Sequence, residues 1–277
     1  MTEILYAKNY VDKKSHELIE KVKKLKFKPI ISTIRVGDDY GSIAYEKGIK
    51  KTAEELGVEV YSNEFAKDVS QDKVIERIKK LNEDEKIGGI LIFRPLPENF
   101  DEDIISLALD QKKDVDCMHP LNRARVYSGD LSGFTPLAPK AAHELLKFYG
   151  YELEGKDTVI INHSNVVGKP LAMFLLKDLA TVTICHLGTV DLKKHTKNAE
   201  IIFTAMGRAE TLDESYFNKD AIVIDIGTSK NKDGKYRGDL DEKSVDGKIK
   251  AYSPVPGGIG NITNLLLIEN VIKFYEA

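Results

Sequence analysis

Apolar residues fall into two patterns along the chain, and the two patterns alternate. Around residues 12–26, Val11, Leu18, Ile19, Val22 and Leu25 recur at roughly helical spacing among many Lys and Glu, which predicts an amphipathic surface helix. The next run, 29–36, is β-branched and stops at the turn signal Gly37-Asp38-Asp39, so it reads as a strand. A helix over 42–56 ending at Gly57, a strand over 58–61, a helix over 73–81, a buried strand over 87–93 and a helix over 101–109 follow in turn. Such alternation predicts a parallel sheet with helices on its faces.

Between Lys113 and Pro139 the periodicity lapses, and Pro120, Gly129, Gly133, Pro136 and Pro139 mark a passage to a second domain. Beyond it a helix over 140–148 leads into four short β-rich runs at 158–161, 181–184, 201–204 and 221–224, with a helix over 167–179 separating the first two. That spacing resembles a Rossmann-type dinucleotide domain. The stretch from Pro254 to Gly260 is too rich in Pro and Gly to lie inside an element, while 263–275 reads as a closing helix whose apolar side is expected to pack back on the first domain.

Composition narrows the classes further. At about 150 residues per domain, 277 residues agree with two domains, a length that one large α/β barrel would also satisfy. With 42% hydrophobic and 31% charged residues the chain is globular rather than disordered. Lys and Arg number 41 against 44 Asp and Glu, so the balance favours neither nucleic acid nor an anionic membrane as a partner, and any anion site must be local. Apolar runs such as Ile90-Leu91-Ile92-Phe93 fall far short of the ~20 residues of a membrane span, and Met1-Thr2-Glu3 begins no signal peptide, so a cytoplasmic protein is expected. Cys117 and Cys185 lack the spacing of a disulfide framework or a zinc site, and the histidines lack metal spacing, so no metal is expected.

Three regions could carry chemistry. The run 158–161 ends in Asn162-His163-Ser164-Asn165-Val166-Val167-Gly168-Lys169-Pro170, where a helix opens whose N–H groups and dipole favour a phosphate; with Gly168 alone at a fingerprint-like position, an ordinary capped helix fits the same residues. Asp225-Ile226-Gly227-Thr228 closes the fourth run, at the sheet edge where ligands of open α/β folds bind. In the first half, Tyr45 on its helix and Asp116 in Lys113-Asp114-Val115-Asp116 could stack on and hydrogen-bond a heterocycle.

Taken in order, these segments resemble the methylenetetrahydrofolate dehydrogenase/methenyltetrahydrofolate cyclohydrolase family over nearly the whole length. The likeness rests on Val36-Gly37-Asp38-Asp39 with Ser42 and Tyr45, Gly89-Ile90-Leu91 leading to Pro95-Leu96-Pro97, Lys113-Asp114-Val115-Asp116 with Asn122, and Thr135-Pro136. It continues through Ser164, Val167-Gly168-Lys169-Pro170, Val182-Thr183 with Cys185-His186, Asp225-Ile226-Gly227, Gly238-Asp239 and Pro254-Val255-Pro256-Gly257-Gly258. The resemblance implies a two-lobed α/β protein with a cleft between a folate-binding lobe, 1–137, and a Rossmann-type NAD(P)-binding lobe, 138–262, in a homodimer. It implies hydride transfer from 5,10-methylenetetrahydrofolate to NADP, then hydrolysis of the methenyl product to 10-formyltetrahydrofolate. Tyr45 would stack on the folate rings, Asp116 would bind the pterin edge, and Pro256, Gly257 and Gly258 would line the cleft. Asn162, His163, Ser164, Val167, Gly168, Leu187, Gly227 and Thr228 would meet the nucleotide.

Where the chain departs from the family, the departures bear on chemistry. The family's catalytic lysine, four residues after the tyrosine, is Ile49, and the glutamine that supports it is Phe93; neither side chain can move a proton. Lys50 lies about 100° further round the helix and Lys47 on another face. Loss of both polar groups puts the cyclohydrolase step in question, since general acid–base catalysis commonly contributes ~10² to 10⁴-fold, whereas hydride transfer needs no such group. On the nucleotide side the arginine that meets the 2′-phosphate is His163, and the serine after Cys185-His186 is Leu187. With no acidic residue placed for a 2′-hydroxyl, NADP is favoured over NAD. The competing readings are a folate- or nucleotide-binding protein of the same fold without turnover, and a different two-lobed dehydrogenase such as a shikimate-type enzyme.

Overall fold

The computed structural model describes residues 1–276. Two compact α/β units emerge, each assembled from separated stretches of chain: Lys13–Arg125, Asp130–Thr135 and the chain from Asn264 on form one, and Met1–Asp12, Val126–Gly129 and Pro136–Thr263 form the other.

In chain order, β1 (Glu3–Ile4) and α1 (Lys8–Lys24) precede the alternating elements β2 (Ile30–Val36), α2 (Tyr40–Leu56), β3 (Glu59–Phe65), α3 (Gln71–Glu83), β4 (Gly89–Ile92) and α4 (Glu102–Ala108). Strands β3, β2 and β4 form a parallel three-stranded sheet in that order, with Ile90 bridging to Asp114 beyond it. The central strand β2 is buried from Ile31 to Val36, polar Ser32, Thr33 and Arg35 included, whereas β3 at the edge alternates and runs four residues past its expected end. On α3, Val74, Ile78 and Leu81 recur on one face and close a core with Ile34, Ile90, Ile92 and Ile105. Asp39 caps α2 by accepting the Ser42 N–H at 2.7 Å, and Gly57 ends it in the left-handed region at φ 77°. The stretch read as irregular holds a helix, α5 (Pro120–Tyr127), begun by a proline whose missing N–H is harmless there. Its Leu121 and Tyr127 are exposed, so no apolar face betrays it in the sequence.

The second set comprises α6 (Leu137–Phe148), β5 (Asp157–Ile161), α7 (Gly168–Lys177), β6 (Thr181–Cys185), α8 (Leu192–Thr196), β7 (Ile201–Thr204), β8 (Ile222–Asp225), a short hairpin of β9 (Ser229–Lys230) and β10 (Tyr236–Arg237), α9 (Glu242–Val245) and β11 (Ala251–Tyr252). Its parallel sheet runs β1-β11-β8-β7-β5-β6. The N-terminal pair Glu3–Ile4 thus extends this sheet, an arrangement that two residues cannot announce by pattern. The chain goes from β5 outward to β6, then crosses to the other side of β5 for β7. That reversal places a topological switch point at the carboxyl ends of β5 and β7, where open α/β sheets bind ligands.

The last helix, α10 (Ile259–Glu276), is held from Asn264 on by the first unit: the Asn270 side chain donates to the Val115 carbonyl at 2.9 Å, and the Tyr275 hydroxyl accepts from the Ile30 N–H at 2.9 Å. Among the described residues no helix is long and apolar enough to cross a membrane.

Candidate active site

In the first unit the helix α2 and the end of β4 bring together residues far apart in sequence. Tyr45 and Ile49 lie one turn apart on α2, hence on one face. Phe93, just past β4 and buried, meets the Tyr45 ring edge-on with centroids 5.9 Å apart and planes at 83°. Arg94 follows, and its guanidinium lies 3.1 Å from the Asp116 carboxylate, a pairing that spacing does not reveal. The Ser42 hydroxyl contacts the Arg94 carbonyl at 3.3 Å, tying this turn to the start of α2.

Asp116 sits beside a second acid, Asp114, whose carboxylate is buried and accepts from the N–H groups of Met118 and His119 and from Asn122. Burial pushes the Asp116 carboxyl up to about 6, opposed by the Arg94 guanidinium and reinforced by the Asp114 charge. Cys117 adopts φ 57°, a left-handed conformation that favours glycine, and its carbonyl accepts from Arg123 at 3.4 Å.

The lysines near Ile49, Lys47 and Lys50, lie on other faces of α2. Lys50 is ion-paired at 3.3 Å with Glu46, a buried carboxylate that also accepts from Thr33 at 2.8 Å and Ser62 at 2.7 Å. Lys47 is exposed, and Ile49 is fully buried.

The second unit holds a cavity of about 360 Å³ at its switch point. Ile161, Asn162 and His163 line it from the end of β5, His186 and Leu187 from the end of β6, and Ala205, Met206 and Arg208 from the end of β7. The three basic side chains are His163, His186 and Arg208, with the two imidazoles 5.1 Å apart; no lining residue is acidic. Arg208 was not legible as a site residue in the sequence.

Within the turn that opens α7, Asn162 is the organising residue. Its amide donates to the Ala205 carbonyl at 2.7 Å, and its Oδ1 accepts from Ser164 N–H at 2.8 Å and Gly168 N–H at 3.0 Å. The Ser164 hydroxyl accepts from Val167 N–H at 3.0 Å. These N–H groups are therefore spent on the turn itself, which leaves the basic side chains and the helix dipole as the attractions for an anion. Gly168 has no room for a Cβ, which would lie 1.9 Å from the Asn162 carbonyl oxygen.

Gly227 and Thr228 lie outside that lining. Gly227 is buried where a Cβ would fall 2.2 Å from the Asp239 carboxylate, and a Cβ on Gly238 would fall 2.1 Å from that of Asp225, so the two glycines admit two buried acids. Asp239 accepts from Thr204 at 2.7 Å and from the N–H groups of Met206 at 2.6 Å and Arg208 at 2.7 Å, holding the loop after β7. Pro256, Gly257 and Gly258 form a turn in this same unit, and the Gly257 carbonyl accepts from Ala7 N–H at 2.8 Å. Among the described residues, no group of three or more His, Cys, Asp or Glu side chains is arranged to hold a metal.

Fold and cavity define a two-unit α/β protein with a nucleotide-binding sheet. Residues 5–116 match the tetrahydrofolate dehydrogenase/cyclohydrolase catalytic domain and residues 136–277 its NAD(P)-binding domain. The chain is 44% identical to a protein of Clostridium botulinum named bifunctional protein FolD, covering 100% of this chain and 99% of that one. A crystal structure of the bifunctional methylenetetrahydrofolate dehydrogenase/cyclohydrolase of Campylobacter jejuni superposes with a TM-score of 0.96 at 36% identity, over 100% and 99% of the two chains. The Trypanosoma brucei enzyme, solved with NADP cofactor and an inhibitor, gives 0.92 at 26% identity over 99% and 97%. The chain belongs to the tetrahydrofolate dehydrogenase/cyclohydrolase family.

Proposed function

We propose that this protein oxidises 5,10-methylenetetrahydrofolate to 5,10-methenyltetrahydrofolate with NADP, and that the family's subsequent hydrolysis to 10-formyltetrahydrofolate is lost or greatly reduced. The observation that carries this reading is that Tyr45 and Asp116 stand at the family's folate positions while Phe93, packed edge-on against Tyr45, and Ile49, one turn from it on α2, are hydrocarbon side chains. In the dehydrogenase step a C–H bond of the one-carbon unit breaks and its electron pair leaves with the hydrogen, for which the bound nicotinamide supplies the acceptor. The protein's part is placement. Tyr45 offers a ring face to the folate and Asp116 an acceptor to the pterin N–H groups, neither of which requires a proton-transfer group.

The residues present fit a 2′-phosphorylated nucleotide, because the switch-point cavity is lined by His163, His186 and Arg208 and by no carboxylate that would seek a 2′-hydroxyl. A charge-assisted contact contributes about 1.5–3 kcal/mol, so Arg208→Ala should lower kcat/KM for NADP by about tenfold or more and leave that for NAD nearly unchanged. Equal losses for both cofactors would remove Arg208 from 2′-phosphate recognition.

Family membership and composition further favour a cytoplasmic homodimer, and β6, the outer strand of its sheet with Ile184 partly exposed, offers an unpaired edge for a second copy. The direct test of function follows absorbance of the purified protein with methylenetetrahydrofolate and NADP, then NAD, recording reduced cofactor and the methenyl chromophore separately. Reduced cofactor together with methenyltetrahydrofolate that decays only at the buffer rate is the expected result. Folate binding without cofactor reduction would instead establish a binding protein, and a methenyl species that never accumulates would show that hydrolysis survives.

A further inference from the structure

Arg94 is the residue that the functional reading leaves without a role. It lies in the turn after β4, directly after Phe93, and its Nη2 reaches Asp116 Oδ2 at 3.1 Å, the two side chains being 23% and 24% exposed. Asp116 Oδ1 has no protein partner among the described residues. A charged pair of this partial exposure is neither a fully solvated surface pair nor a sealed core pair.

We propose that Arg94 is a positioning residue for folate: it clamps one oxygen of Asp116 so that the other stands as an acceptor for the N–H donors of the pterin edge. The inference rests on the reading of Asp116 as a folate-binding residue. Both ends of the clamp are anchored. Arg94 is fixed through its carbonyl contact with Ser42 and by the packing of Phe93 on Tyr45. Asp116 is fixed by the bonds of Asp114 to Met118 and His119 on one side and by the Arg123 contact with Cys117 on the other.

Charge also matters. The groups that face Asp116 are Arg94 from the end of β4, Asp114 from its own segment and Arg123 from α5. Burial and Asp114 favour the protonated carboxyl, while Arg94 and then Arg123 favour the carboxylate. A protonated carboxyl cannot offer both oxygens as acceptors, so removing Arg94 should extend the acid range in which folate binds poorly to higher pH.

The test uses the full-length protein and its Arg94→Leu and Arg94→Lys variants. Arg94→Leu should raise KM for methylenetetrahydrofolate about tenfold while changing kcat, the KM for NADP and the thermal midpoint little. Its acid limb of kcat/KM should move to higher pH, and Arg94→Lys should return that limb toward the wild-type position. In an Asp116→Asn background, Arg94→Leu should add no further loss in folate KM. An unchanged folate KM and acid limb would overturn the proposal, as would a parallel loss in folate KM, NADP KM and thermal midpoint, which marks a merely structural role. Calorimetric titration with tetrahydrofolate alone separates this proposal from the functional reading. Tetrahydrofolate binding that weakens in Arg94→Leu, in a wild-type protein that reduces no cofactor, sinks the dehydrogenase reading and keeps the clamp; no tetrahydrofolate binding at all sinks both.

Discussion

The double variant Ile49→Lys/Phe93→Gln is expected to hydrolyse methenyltetrahydrofolate on the order of 10²-fold faster than the parent chain, the low end of what a placed acid–base group contributes. Position 49 shares a helix face with Tyr45, one turn away, so a lysine there would extend along the same side of α2. Because Ile49 is fully buried, the new ammonium would be desolvated, which lowers a lysine's pKa toward the range useful for moving protons at neutral pH. Phe93→Gln supplies it with a polar neighbour in place of the ring that now packs on Tyr45, and should be needed alongside it, since a lone buried ammonium without a partner is costly. Methenyl absorbance decay in buffers of fixed composition reads the outcome. A double variant that keeps the parent's thermal midpoint and dehydrogenase rate yet decays the methenyl species no faster would sink the claim that these two positions account for the missing step.

How far the sequence spoke for itself depended on how locally each feature is encoded. The buried strands β4, β7 and β8 are uninterrupted apolar runs in sequence because both their faces are covered. α3 was readable because Val74, Ile78 and Leu81 repeat at helical spacing, whereas α5 presents no apolar face to read. Tyr45 and Asp116 could be picked out by residue type as candidates for a heterocycle, but Ile49 and Phe93 could be singled out only by their place in family motifs. Arg94 and Arg208 could not be found at all from spacing: each is a charged residue beside a turn, which in sequence looks like solvated surface. Only the fold brings Arg94 to Asp116 and sets Arg208 beside His163 at the ends of two adjacent strands. The same holds for Asp225 and Asp239, whose mutual burial depends on two glycines that look like ordinary turn residues.

Asp239→Ala is expected to destabilise the second unit by about 3–5 kcal/mol, because it takes the acceptor from the buried Thr204 hydroxyl and from the Met206 and Arg208 N–H groups. At ~2–4 °C per kcal/mol for a unit of this size, the thermal midpoint should fall by roughly 10 °C. The loop after β7 loses its anchor as well, so KM for NADP should rise while KM for folate does not. The pH dependence has a definite sign. Burial, and then the charge of Asp239, raise the Asp225 carboxyl to about 8. Between the ordinary carboxylate range and that value the folded chain keeps a proton that the unfolded chain releases, so this group's contribution to stability is full at low pH and is lost as pH rises toward 8. Removing Asp239 takes away one cause of the raised value, so the variant should lose less stability than the parent over that window. The gap between the two thermal midpoints should therefore be wider at pH 6 than at pH 8. Unfolding curves at both pH values decide the matter: a midpoint within about 2 °C of the parent at pH 6 would mean that the three donors find other partners, since about 0.5–1 kcal/mol is far less than three stranded donors should cost.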